Sequence, residues 1–407
     1  MKKLIATMAM TAFTLSLQAQ TVVDTVINRK ATTPFYFSVP VDDGNYKVTL
    51  TLGSKKRAVQ TVVRAESRRL FVENAQTRKG QFQTVSFIVS KRSPRYVYRQ
   101  PSADNKSIEL KEGVVKIKER EKGYLNWDNL LTLEFNGSAP AVQRIRIERD
   151  TTATTVFLCG NSTVVDQNND PWASWGQMIT RWFDDQVAIS NHAESGLTAR
   201  TFLGSNRLEK ILSMMKPGDY VVCEFGHNDE KEHRAGDGPW YHYVYNLKIF
   251  IDKVREAGGN IIFCTPTQRR AWEADNKTIK ATHGEFPAAM LSVALRENVP
   301  VIDLNGTTKT FFETLGYEDS KRALVHYPAN TFPGQEKALA DNTHFNPYGA
   351  YEVAKLVVMG LKQLGLPIVS HLRSDWQDFD PSHPDDFNRF VWFNSPDNAD
   401  VTKPDGN

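Results

Sequence analysis

The residues of this chain that could do chemistry lie in four short blocks. Ser162 follows the apolar run Thr155 to Cys159 after only Gly160 and Asn161, so a buried-type segment breaks at a glycine and then presents a hydroxyl. Downstream come Asn191-His192-Ala193-Glu194-Ser195-Gly196, Gly226-His227-Asn228-Asp229 and Asp341-Asn342-Thr343-His344. Acyl transfer by a serine needs a nucleophile, a histidine that takes its proton, a carboxylate that orients the histidine, and donors for the developing oxyanion. The blocks supply these in turn. Ser162 is the candidate nucleophile, His344 the base, and Asp341 the carboxylate that meets Nδ1 through a short turn. The backbone N–H groups of Ser162 and Gly196 and the side-chain amide of Asn228 are the candidate oxyanion donors. Such chemistry calls for no metal and no organic cofactor.

Other residues compete for these roles. His227 has Glu224 three residues before it, but that carboxylate falls inside an apolar strand, which leaves His344 the better base. His227 and His233 with Glu230 and Glu232 have the side chains of a metal site, yet fit a solvated rim better. Asn191 is expected to hold the loop that carries Gly196. Trp175 reads as core, whereas Trp172 suits either a sugar face or packing. Arg200, Arg269, Arg270 and His326 lie in loops after strands or ahead of Asp341, where any could meet a carboxylate on a substrate.

Over about residues 154–366 these blocks resemble those of the SGNH hydrolases, named for the serine, glycine, asparagine and histidine they share. Within that superfamily the chain looks like the rhamnogalacturonan acetylesterases: Asn191-x-Ala193-x-x-Gly196, Glu224-Phe225-Gly226-His227-Asn228-Asp229, and Asp341-x-Thr343-His344 followed by Pro347-x-Gly349-Ala350. The resemblance implies a three-layer, flavodoxin-like α/β domain that removes acetyl groups from an acetylated polysaccharide, the rhamnogalacturonan of pectin. Two departures stand out. Asn161 replaces the aspartate of the usual Gly-Asp-Ser, and Leu197-Thr198 follow Gly196 where fungal members tend to carry Arg-Ser. The alternatives are a deacetylase for another glycan such as xylan, a general esterase, or a carbohydrate-binding protein without turnover. Asn161 is the argument for the last, and the intact triad is the argument against it.

The elements around the blocks fit this chemistry. From Thr155 onward apolar runs alternate with helical stretches, the mark of a parallel sheet covered on both faces. Strands are expected at residues 155–159, 187–191, 220–225, 261–265 and 299–304, and helices at 207–215, 241–257 and 288–298. In the doubly wound order 2-1-3-4-5 the first three strands are neighbours, and ligands bind beyond their carboxyl ends. Ser162, Gly196 and Asn228 fall just past those ends. Asp341 to His344 precedes a last long helix that starts at Asn346-Pro347. Cys159, Cys223 and Cys264 each sit in an apolar run and read as small hydrophobes on strands of one sheet.

Residues 20–150 differ in rhythm. Short runs of period-two alternation, such as Tyr46 to Leu52 and Thr84 to Val89, are separated by turn residues and predict an all-β sandwich. The unit resembles the galactose-binding-like sandwiches that accompany some polysaccharide esterases. The catalytic unit then spans 151–366, and the aromatic-rich residues 367–407 are expected to strap back over the protein. Residues 1–19, with Lys2, Lys3 and an apolar stretch from Leu4 to Leu17, have the form of a secretory signal cut after Ala19, which implies a secreted or periplasmic protein. No later stretch suits a membrane span, nothing points to nucleic acid, and nothing fixes the oligomeric state. Net charge is +3, but residues 21–150 hold 24 Lys and Arg against 14 Asp and Glu, a surplus of +10. A field from this surplus, with Lys55, Lys56 and Arg57 among its sources, could draw in an acidic polymer.

Overall fold

The computed structural model describes residues 21–27, 33–102, 107–396 and 401–405. The expected export signal lies outside these residues. Among them, no helix is long and apolar enough to cross a membrane.

The amino-terminal part is a sandwich of antiparallel strands: β1 (Thr21–Val26), β2 (Phe35–Pro40), β3 (Gly44–Gly53), β4 (Val59–Ala65), β5 (Arg69–Thr77), β6 (Phe82–Lys91), a hairpin of β7 (Arg95–Pro101) and β8 (Ile108–Val114), then β9 (Leu130–Ala139) and β10 (Val142–Asp150). One layer runs β2-β9-β4-β5 and the other β1-β10-β3-β6. Alternation of buried and half-buried residues along β3 aims Val48, Leu50 and Leu52 at a core that also holds Phe71, Phe87, Leu133 and Phe135. Strands β4 and β5 were not apparent in the sequence. Their arginines look like solvent-facing residues, yet Arg64 and Arg69 are fully buried.

The second part contains β11 (Thr154–Cys159), β12 (Val187–Asn191), β13 (Tyr220–Glu224), β14 (Asn260–Cys264) and β15 (Val301–Ile302), with β16 (Leu324–Tyr327) and β17 (Leu339–Phe345) forming a separate hairpin. Its helices are α1 (Trp175–Met178), α2 (Ala199–Gly204), α3 (Arg207–Met214), α4 (Val244–Glu256), α5 (Phe286–Glu297), α6 (Leu304–Asp319) and α7 (Pro347–Gln363). The parallel order β12-β11-β13-β14-β15 is the expected 2-1-3-4-5 arrangement. Alternate residues of β11 enter opposite layers: Val156 and Leu158 pack with α1, α6 and α7, Phe157 and Cys159 with α2 to α5. All three cysteines are buried and free on adjacent strands. Strand β15 is shorter than its apolar run because Asp303 caps α6, its carboxylate accepting from the Gly306 N–H at 3.1 Å.

The two parts share one sheet. Strand β6 pairs with β12 in parallel through Ala188 opposite Ile88 and Ile189 opposite Val89, so nine strands run continuously from β1 to β15. Buried cations lock the junction. Arg69 Nε lies 3.2 Å from Asp166 Oδ2, Arg207 Nη2 lies 2.6 Å from Glu121 Oε2, and Arg68 pairs with Asp170. Residues from Arg373 to Pro396 return over both parts. Trp376 meets Trp182 edge to face, Arg64 stacks 3.7 Å from the Trp392 ring centroid, and the Ser395 N–H donates to Asp170 at 2.8 Å.

Candidate active site

The loop after β11 is shaped by a close approach. A Cβ on Gly160 would meet Val164 Cγ2 at 2.5 Å and the Glu224 carbonyl oxygen at 3.0 Å, so only glycine fits between the strand end and its neighbour. Next to it Asn161 is fully buried, and its Oδ1 accepts from the Thr163 N–H at 3.0 Å. An amide oxygen thus holds the turn that carries Ser162. Ser162 follows, and its carbonyl accepts from Ser174 Oγ at 2.6 Å and Gln167 Nε2 at 3.0 Å.

Asp341 and His344 do not sit in a free turn but in β17 itself. The register slips between Leu324 paired with Phe345 and His326 paired with Ala340, which bulges residues 341–344 out of the hairpin. Inside the bulge Asp341 Oδ1 accepts from the N–H groups of Thr343 and His344, both at 2.8 Å, and Oδ2 meets His344 Nδ1 at 2.9 Å. His344 Nε2 is buried and has no hydrogen-bond partner among the described residues. Burial alone would raise the Asp341 carboxyl. The hydrogen bond and charge of His344, with the two N–H donors, outweigh burial and hold it well below the usual carboxylate range. The segment Trp172 to Ser174 joins this bulge to the Ser162 loop. The Ala173 N–H donates to the Phe345 carbonyl at 3.0 Å, and the Trp172 ring stands perpendicular to His344 at 5.7 Å between centroids.

The second and third blocks close the other side. The Glu194 N–H donates to the Gly160 carbonyl at 3.3 Å, and Asn191 binds the Ala193 N–H, the Val164 carbonyl and Asp166, so it secures both the Gly196 and the Ser162 loops. Gly196 adopts φ +77°, a conformation that side chains disfavour. Neither its N–H nor that of Ser162 meets an acceptor among the described residues. Asn228 donates one amide hydrogen to the Leu197 carbonyl at 3.2 Å, and its Oδ1 accepts from Lys231 at 3.2 Å, which distinguishes the nitrogen from the oxygen end of the amide. Asp229 has a role that the sequence did not disclose. It accepts from the Ala199 and Gly226 N–H groups, both at 2.9 Å, and so clamps the Gly196 and Asn228 loops together. Burial pushes its carboxyl up to about 7.

The candidate substrate ligands fare differently. Trp172 is buried against His344 rather than presented as an open sugar platform. Arg270 donates to Asn342 Oδ1 at 3.2 Å and to Ser320 Oγ at 2.9 Å, and His326 Nε2 lies 3.0 Å from the same Asn342 oxygen. Both brace the bulge. Arg269 pairs with Glu230 at 2.5 Å, and Arg200 pairs with Asp237 and, at 3.3 Å, with Glu232. Each of these side chains is thus engaged with a loop of the protein itself. His227 is buried with Nδ1 3.7 Å from Glu224, and burial together with His283 and Arg269 pushes its pKa well down. A further residue absent from the sequence reading is Arg68, from the turn between β4 and β5. It donates to the carbonyls of Gln167 at 3.2 Å and Trp172 at 2.9 Å, so the sandwich itself supports the loop beside Ser162.

The GDSL-like Lipase/Acylhydrolase family profile matches residues 158–350. Rhamnogalacturonan acetylesterase RhgT of Bacillus subtilis is 42% identical over 54% of this chain and 94% of its own length. The probable rhamnogalacturonan acetylesterase YesY of the same organism is 31% identical over 54% of this chain and 98% of its own. A solved structure of Bacillus subtilis YxiM aligns at 23% identity and a TM-score of 0.47, covering 84% of this chain and 88% of that one.

Proposed function

The chain belongs to the GDSL-like, or SGNH, acylhydrolase family and is a carboxylic ester hydrolase; on that premise we propose that it deacetylates pectic rhamnogalacturonan with Ser162 as nucleophile. The observation that carries the mechanism is the buried Asp341–His344 contact of 2.9 Å, which commits Nδ1 and leaves Nε2 as the proton acceptor. Ser162 Oγ attacks the acetyl carbonyl while Nε2 takes its proton. The oxyanion meets the N–H groups of Ser162 and Gly196 and the Asn228 amide. Collapse expels the sugar hydroxyl, protonated by His344, and leaves an acetyl ester on Ser162. Water, deprotonated by the same histidine, then releases acetate. The clamp through Asp229 and the bulge around Asp341 supply the fixed geometry that such differential stabilisation needs. The amino-terminal pattern from Lys2 to Ala19 supports action outside the cytoplasm.

Acetate release from acetylated rhamnogalacturonan, acetylated xylan and a small chromogenic ester tests this reading. The expected result is the highest kcat/KM on rhamnogalacturonan. Equal or better turnover of xylan would remove the pectic assignment, and absence of turnover on all three would leave a carbohydrate-binding protein.

A further inference from the structure

The last described segment, residues 401–405, lies across the mouth of the site. Lys403 Nζ is 3.3 Å from Asp341 Oδ2, and Asp405 lies against Gly196, where an added Cβ would come within 2.9 Å of Asp405 Cβ. Beneath the segment is a cavity of about 150 Å³ lined in part by Trp172, Asn168 and Glu194. The Asp405 carboxylate is held by two cations from the amino-terminal part: Oδ2 lies 2.8 Å from Lys118 Nζ, and Oδ1 lies 3.3 Å from Arg120 Nη1.

These cations are placed by the body of the protein and not by the segment they hold. Lys118 Nζ donates to the Ser195 carbonyl at 2.6 Å, immediately before Gly196. Arg120 commits Nε, at 3.1 Å, and Nη2 to the buried Glu194 carboxylate, which leaves Nη1 as the edge facing Asp405. The turn that bears both is anchored by the buried Glu121. Its carboxylate accepts from the Lys118 N–H at 2.7 Å, from Trp127 Nε1 at 2.8 Å, and from Arg207 of α3 at 2.6 and 2.8 Å. A pre-set lysine and one guanidinium edge next to the oxyanion side make a seat for a carboxylate.

We propose that Lys118 and Arg120 form a carboxylate subsite that takes a uronate of the sugar chain, and that Asp405 occupies it until substrate displaces it. This rests on the pectic reading above, because rhamnogalacturonan carries a carboxylate on every second backbone sugar. It also gives the amino-terminal part a direct share in specificity.

The experiment compares kcat/KM on acetylated rhamnogalacturonan oligosaccharides with that on the same material after carboxyl reduction. Wild type should favour the acidic form. Lys118→Met should cut that preference about tenfold, the usual worth of a charge-assisted hydrogen bond. Arg120→Met deprives the buried Glu194 of its partner, so Asp405→Asn serves as the second variant. It should lower KM for the acidic substrate about threefold, as expected for release of an exposed ion pair. Wild-type preference unchanged in Lys118→Met, with KM unchanged in Asp405→Asn, would overturn the subsite alone. A wild type that releases no acetate from either oligosaccharide preparation while cleaving a small ester would overturn the functional reading and the subsite with it.

Discussion

At the residue scale the site separates chemistry from support. Ser162 contributes a hydroxyl whose removal costs little packing, so Ser162→Ala should lower ester hydrolysis by at least about 10³-fold and shift unfolding by less than about 0.5 kcal/mol. Asp341→Asn keeps the size of the side chain but loses the carboxylate that selects the histidine tautomer. It should lower kcat about 10⁴-fold with little change in KM; a rise in KM at constant kcat would make Asp341 a recognition residue instead. These candidates were legible in the sequence because their residue types stand just past apolar strands or, for Asp341 and His344, just ahead of the last long helix. The supporting roles of Arg270, His326 and Arg68 were not. A side chain's type shows what it can bind, whereas its partner is set by packing between distant segments, as when Arg270 reaches Asn342 across the site.

At the level of elements, the parallel strands were readable because both faces are buried and their apolar runs are continuous. The bulge in β17 was not, since its polar residues Asp341, Asn342 and Thr343 resemble a loop. It is their hydrogen bonds to one carboxylate that make a turn within a strand. Strands β4 and β5 escaped notice for a related reason, their arginines being interior. The Asp229 clamp allows a test of how far loop geometry controls rate. Asp229→Ala frees the Ala199 and Gly226 N–H groups and lets the Gly196 and Asn228 loops drift, so kcat should fall about 10- to 100-fold with the triad intact. An unchanged kcat would assign Asp229 to stability alone.

At the scale of the whole molecule, part of the amino-terminal positive charge is not a surface field. Arg64, Arg68, Arg69, Lys91 and Arg92 are each no more than 2% exposed, but Glu66, Glu121 and Glu134 are buried with them, so the surface field of this part is only slightly weaker than the +10 surplus suggests. The same burial shapes the response to pH. Burial lifts Glu66 to about 6 and Glu194, Glu224 and Asp229 to about 7. Over that range the folded state keeps protons that the unfolded chain has released near pH 4, so these four groups make stability fall as pH rises. His192 and His227 are held neutral by burial and act in the opposite sense, but only up to the ordinary histidine value of about 6.5. The melting temperature should therefore be higher near about pH 5.5 than near about pH 8, measured at one ionic strength.

The parallel seam between β6 and β12 bears on how the chain is made. The ribosome delivers β1 through β10 before any strand of the parallel sheet, and domains tend to fold as they emerge. In the finished sheet the other side of β6 is paired with β3, so a sandwich that folds first leaves this edge free for β12. It can receive β12 as a ready template. Pairing of parallel strands through a long crossover is slow when both segments are free, and folding of the sandwich first would let it begin on a preformed edge.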